Sequence, residues 1–109
     1  MSDDVLQRLS AIIETRRLEA PSQSYTRELL DGGPERCARK LGEEAVETII
    51  AALGDDRDQL TREAADLVYH LLVLLASKRV LLADVLDELA RRVGTSGVAE
   101  KAARGRAAP

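Results

Sequence analysis

Apolar residues recur along this chain at spacings of three and four, the pattern of helices with one buried face. Val5, Leu6, Leu9, Ile12 and Ile13 follow Asp3 and Asp4, acids that suit a helix start. They predict a first helix to about Leu18, ended by Pro21. The segment Pro21-Ser-Gln-Ser-Tyr-Thr26 is polar and turn-rich, and a short helix over Tyr25–Leu30 should stop at Gly32-Gly33. Pro34 fits the first turn of a third helix, where its missing N–H leaves no bond unmade. That helix is expected to reach Leu53, with Gly54 as its C-terminal stop. Asp55-Asp56-Arg57-Asp58 is a charged turn whose acids favour the N-terminus of a long helix, about Asp58 to Ser77. Leu82, Val85, Leu86, Leu89 and Val93 mark a last helix that Gly94 ends. Residues 1–94 thus read as one domain and 95–109 as a partly disordered tail, with room for a turn of helix over Val98–Ala103.

Composition agrees with the pattern. Leu and Ala supply 33 of the 109 residues, and there is no Phe or Trp, which favours helix over sandwich or barrel. The expected fold is all-α: a small bundle of four to five helices around a central antiparallel hairpin. A core without large aromatics must be built from many Leu, Val and Ile, and sharing it with a second subunit is one way to enlarge it. The net charge of −3 argues against a basic nucleic-acid binder. A single cysteine, Cys37, excludes an intramolecular disulfide and a multi-cysteine zinc site, and reads as a buried thiol. The acidic N-terminus lacks a signal-peptide core, and the apolar run Leu67–Ala76 is half of a membrane span, so a soluble cytoplasmic protein is expected.

The candidate chemistry lies on the two central helices. Lys40, Glu43, Glu44 and Glu47 project within an arc of about 100°, with Arg36 inside it. On the long helix Gln59, Glu63, Asp66 and His70 fall within about 60°. An antiparallel hairpin brings the pairs Glu44-x-x-Glu47 and Glu63-x-x-Asp66 opposite each other. Leu60, Leu67, Leu71 and Leu74 run beside the second pair, and beyond Asp66 the helix is apolar almost all round, so its walls are expected to be buried. Carboxylates converging at the edge of a core repel unless a cation joins them. An all-oxygen ligand set selects a hard divalent ion, Mg²⁺ or Mn²⁺, over zinc. With Arg36, Arg39 and Lys40 one turn away, such a site suits a polyphosphate substrate.

The strings Lys40-Leu-Gly-Glu43-Glu44-Ala-Val-Glu47 and Glu63-Ala-Ala-Asp66-Leu-Val-Tyr-His70-Leu-Leu-Val resemble the paired acidic motif of the all-α nucleoside triphosphate pyrophosphatases. More narrowly, they resemble the phosphoribosyl-ATP pyrophosphatase family. Ser24-Tyr25-Thr26 is similar to that family's substrate loop, and Arg91-Arg92-Val-Gly-Thr-Ser96-Gly97-Val98-Ala-Glu100-Lys101-Ala102 to its C-terminal tail. The likeness covers about Ala11 to Arg104. It implies Mg²⁺-dependent hydrolysis of phosphoribosyl-ATP at the α–β phosphoanhydride and a homodimer with interlocked helices. It implies Glu44, Glu47, Glu63 and Asp66 as metal ligands, with Glu43 a further ligand or a group that orients water. Together these five acids are the implied catalytic set. Lys40 would meet a phosphate, and Arg36, Ser24, Tyr25, Thr26 and His70 are the remaining candidates for substrate contact.

A lone histidine on an apolar helix is also a common core residue, so His70 has two readings. Tyr69 projects away from the acids and is expected in the core or an interface. Two other functions compete. One is a house-cleaning pyrophosphatase of the same superfamily acting on free or damaged nucleotides. The other is a non-catalytic helical dimerisation module whose acids only solvate it. Eight acids and two bases lie between Glu43 and Asp66, a local charge of −6 against +3 for the rest. The charge is therefore a concentrated anionic patch in a mildly basic surround.

Overall fold

The computed structural model describes residues 2–20 and 23–94. Five helices carry them: α1 (Ser2–Arg16), α2 (Tyr25–Asp31), α3 (Gly33–Ala52), α4 (Arg57–Ser77) and α5 (Leu82–Val93). No strand occurs among the described residues, so the all-α expectation holds. None of these helices is long and apolar enough to cross a membrane. The tail motif from Thr95 onward and the helical turn expected over Val98–Ala103 lie outside the described residues.

Local chemistry accounts for the helix ends. Ser24 caps α2 by accepting a hydrogen bond from the Arg27 N–H at 3.1 Å, and Asp56 caps α4 by accepting one from Gln59 at 3.0 Å. The chain turns from α2 into α3 through Gly33 at φ +78°, and Pro34 sits in the first turn as expected. The first helix ends at Arg16, two residues before the expected limit. Gly54 does not take the left-handed conformation typical of a glycine stop; α3 ends with Leu53 in a right-handed one. Beyond α4 it is Arg79 that adopts φ 56°.

α3 and α4 form the antiparallel hairpin. Thr48 meets Glu63 near the turn, Glu44 meets His70 further out, and Cys37 meets Ser77 at the open end. The core lies at that open end. Ile13, Leu29, Cys37, Leu72, Val73 and Ala76 are buried there, with Leu6, Leu9, Leu30 and Tyr69 packed against them. The Arg17 guanidinium donates to the Ala76 carbonyl, and Arg27 donates to the carbonyls of Arg17 and Glu19, which seats the α1–α2 connection.

Within the single chain, only one face of the apolar α4 is buried. The face that α1, α2 and α3 cover carries His70, Leu72, Val73 and Ala76. Leu71 and Val68 are about two-fifths exposed, and Leu60, Leu67 and Leu74 are only partly covered. On α3, Val46, Ile49, Ile50 and Leu53 form an exposed stripe, and α5 buries no residue at all. A helix apolar on every side gives no periodic signal of which face meets the core, and here the packing of α1 and α2 decides it.

Candidate metal centre

The acidic patch sits on the α3–α4 seam, between the core and the interhelical turn. One oxygen each from Glu44, Glu63 and Asp66 lie within 4.8 Å of one another. Oxygens on opposite sides of a magnesium ion stand about 4.2 Å apart, so small side-chain movements suffice to close the set on a cation. The charge of Glu47 acts on both Glu44 and Glu63, which places the fourth predicted acid near this trio. Three of the four acids read from the sequence thus come together, and Glu47 acts on two of them through its charge.

Electrostatics at the seam are unfavourable for the carboxylates alone. Burial pushes the Glu44 carboxyl up to about 7, reinforced by the neighbouring Glu47 carboxyl and by the negative charges of Glu47, Asp66 and Glu63. Glu63 is also raised, by burial first and then by its acidic neighbours, with Arg62 offsetting part of the shift. Glu44 Oε2 is buried without a hydrogen-bond partner. An acceptor so placed costs stability unless a proton or a cation satisfies it. The donor set is all oxygen, so the residues fit a hard divalent ion.

The other candidates distribute around this centre. Lys40 pairs with Glu43 at 3.0 Å at the exposed rim, and Glu43, Tyr25 and Glu44 hold its ammonium above the usual range. His70 is buried, with Nε2 3.8 Å from Glu44 Oε1 and Nδ1 unpartnered. The rings of Tyr69 and Tyr25 stand edge-on to it at 4.9 and 6.1 Å. Burial lowers the His70 pKa, and the charge of Lys40 adds to the effect, while Asp66 and Glu43 oppose it. Tyr25 is half-exposed beside this group. Three candidates are engaged elsewhere: Ser24 caps α2, Thr26 is buried and shares its hydroxyl with Tyr69, and Arg36 pairs with Glu28. One residue escaped the sequence reading. Thr48 Oγ lies 2.8 Å from the Glu44 carbonyl and 3.2 Å from the Glu63 carbonyl. Its position one turn beyond Glu44, on the same face, was the available signal.

A family model described as phosphoribosyl-ATP pyrophosphohydrolase matches residues 6–93. The chain belongs to that family. A protein of Cereibacter sphaeroides named phosphoribosyl-ATP pyrophosphatase is 58% identical over 93% of this chain and 98% of its own length. Proteins of the same name from Rhodobacter capsulatus and Novosphingobium aromaticivorans are 58% and 56% identical, over 92% and 93% of this chain and 97% and 94% of theirs. The family match contains α2, α3, α4 and α5 entire, and so the whole acidic seam. Membership in a pyrophosphohydrolase family makes the protein a hydrolase, which sets aside the non-catalytic module.

Proposed function

We propose that this protein hydrolyses phosphoribosyl-ATP to phosphoribosyl-AMP and pyrophosphate, the second step of histidine biosynthesis, in the cytoplasm and with Mg²⁺ or Mn²⁺ as cofactor. The observation that carries the reading is the converging carboxylates of Glu44, Glu63 and Asp66 in a chain of this family. Glu44, Glu47, Glu63 and Asp66 hold the ion. A divalent ion there supplies charge neutralisation of the phosphate oxygens. Lys40, at the rim and charged, meets a phosphate that approaches the seam. Glu43, already paired with Lys40, sets the position of that ammonium. Water forms the new P–O bond at the α-phosphorus as the bond to the β-phosphate breaks, and pyrophosphate leaves.

The protein acts as a homodimer in this reading. Val46, Ile49, Ile50 and Leu53 on α3 and Val68 and Leu71 on α4 are large apolar residues left open by the single chain. A second copy covers them at no cost in charge. Pyrophosphate release from phosphoribosyl-ATP and Mg²⁺ tests the reaction. The expected result is turnover by the wild-type chain and its loss in Glu47→Ala. Release no greater than that of Glu47→Ala overturns the proposal, and faster turnover of free deoxynucleoside triphosphates transfers the function to the house-cleaning class.

A further inference from the structure

The hydroxyl of Thr48 stands between two backbones at the level of the acids. It lies 2.8 Å from the carbonyl of Glu44, on its own helix, and 3.2 Å from the carbonyl of Glu63, on the facing one. The bond within the helix is unremarkable taken alone. Thr15 and Thr61 donate in the same way to the carbonyls four residues earlier, at 3.0 and 2.9 Å, and both are exposed with no reach beyond their own helix. What distinguishes Thr48 is the second carbonyl, fifteen residues away in sequence and across the seam. Both acceptors belong to residues whose side chains enter the acidic cluster. A single hydroxyl proton shared between two carbonyls requires the backbones to be close at that point. Ala51, one turn on, is small and buried, and allows that approach.

Like-charged side chains on α3 and α4 push the helices apart at this level. A neutral tie anchored on backbone holds them together whether or not a cation is bound. We propose that Thr48 is a positioning residue that sets the α3–α4 separation at which Glu44 and Glu63 share one divalent cation. This rests on the cation reading of the seam. It concerns geometry upstream of the chemistry, since Thr48 offers its hydroxyl to carbonyls and not to a ligand.

The test uses the full chain and Mn²⁺ alone, with binding followed by electron paramagnetic resonance and calorimetry. Thr48→Val keeps the shape and removes the hydroxyl; Thr48→Ser keeps the hydroxyl and removes the methyl. Groups that orient metal ligands are worth about tenfold or more in metal affinity. Thr48→Val is therefore expected to bind Mn²⁺ about tenfold more weakly, with helical circular dichroism retained. Thr48→Ser is expected to restore binding despite its poorer packing. A purely structural role predicts the reverse ranking, because serine loses more contact than valine. Wild-type binding in Thr48→Val, or binding in Thr48→Ser as weak as in Thr48→Val, overturns the proposal. Should Thr48→Val not fold, the serine variant decides: affinity within twofold of wild type supports the tie, and a larger loss overturns it. Absence of Mn²⁺ binding by the wild-type chain overturns the cation reading itself, which separates the two failures.

Discussion

Glu44 carries a conflict that pH exposes. Its ordinary value is 4.5, and burial among acids raises it to about 7 in the folded chain. Between those values the folded chain holds a proton that the unfolded chain has released. The resulting stabilisation is complete below pH 4.5 and is lost as pH rises through about 7. His70 runs the opposite way. Its folded value is lowered from 6.5, so its contribution is present above 6.5 and is lost as pH falls through the folded value. A raw profile mixes the two, whereas the difference between wild type and Glu44→Gln removes the part of the histidine's contribution that is independent of Glu44. The metal-free melting temperature of wild type, taken relative to Glu44→Gln, is expected to fall from about pH 5 to about pH 8. The increment from added Mg²⁺ should grow over the same range, since the ion takes the deprotonated carboxylate. A difference that stays flat with pH contradicts the burial of charge at Glu44. The convergence of the two acidic pairs was legible in the sequence because side-chain direction in a helix follows from position alone. Thr48 was not, because its second acceptor depends on how closely two helices approach.

At the scale of elements, the sequence locates the helices to within about two residues, since apolar spacing, Pro34, Asp56 and Gly94 all mark ends locally. It marks one left-handed position, Gly33 in the expected Gly32-Gly33 stop, and misses the other. Gly54, the expected C-terminal stop of α3, has no positive φ, whereas Arg79, after α4, does. Nothing in the Lys78-Arg79 pair signals that conformation, which arises where the chain leaves α4 and the Val80 N–H returns to the Leu75 carbonyl at 2.9 Å. Two substitutions of opposite sign follow. Arg79→Gly removes a side chain from a region that costs an L-residue about 1 kcal/mol, and should raise stability by about that amount or somewhat less. Gly33→Ala should lower it by about 1 kcal/mol. The space around a Cβ at Gly33 is open, so the cost there comes from the backbone at φ +78° and not from a clash. Urea unfolding midpoints measure both changes. A neutral Gly33→Ala would show that the α2–α3 junction relaxes to another conformation.

The described residues are less compact than a chain of their length allows. Their radius of gyration is 16.2 Å, against about 13 Å for a compact chain of this size. Among the described residues few large side chains are fully buried, while Ile49 and Ile50 are 61% and 63% exposed and Leu53 is 84% exposed. The apolar composition foretold a surplus over what one small core holds, but not which helices would display it, because that depends on where α1 and α2 dock. The proposed homodimer puts the surplus to use, and Ile49 tests it. Burying one isoleucine stabilises by about 1.5–3 kcal/mol, counted twice across a two-fold interface. An exposed position in a monomer tolerates a charge within about 0.5 kcal/mol. Ile49→Glu should therefore leave the isolated chain folded and separate the pair. Light scattering is expected to give twice the chain mass for wild type and the single-chain mass for Ile49→Glu at micromolar concentration, with helical circular dichroism retained in the variant. A wild-type protein of single-chain mass refutes the dimer. A variant that remains paired moves the interface away from the α3 stripe, toward the apolar face that α5 leaves unburied.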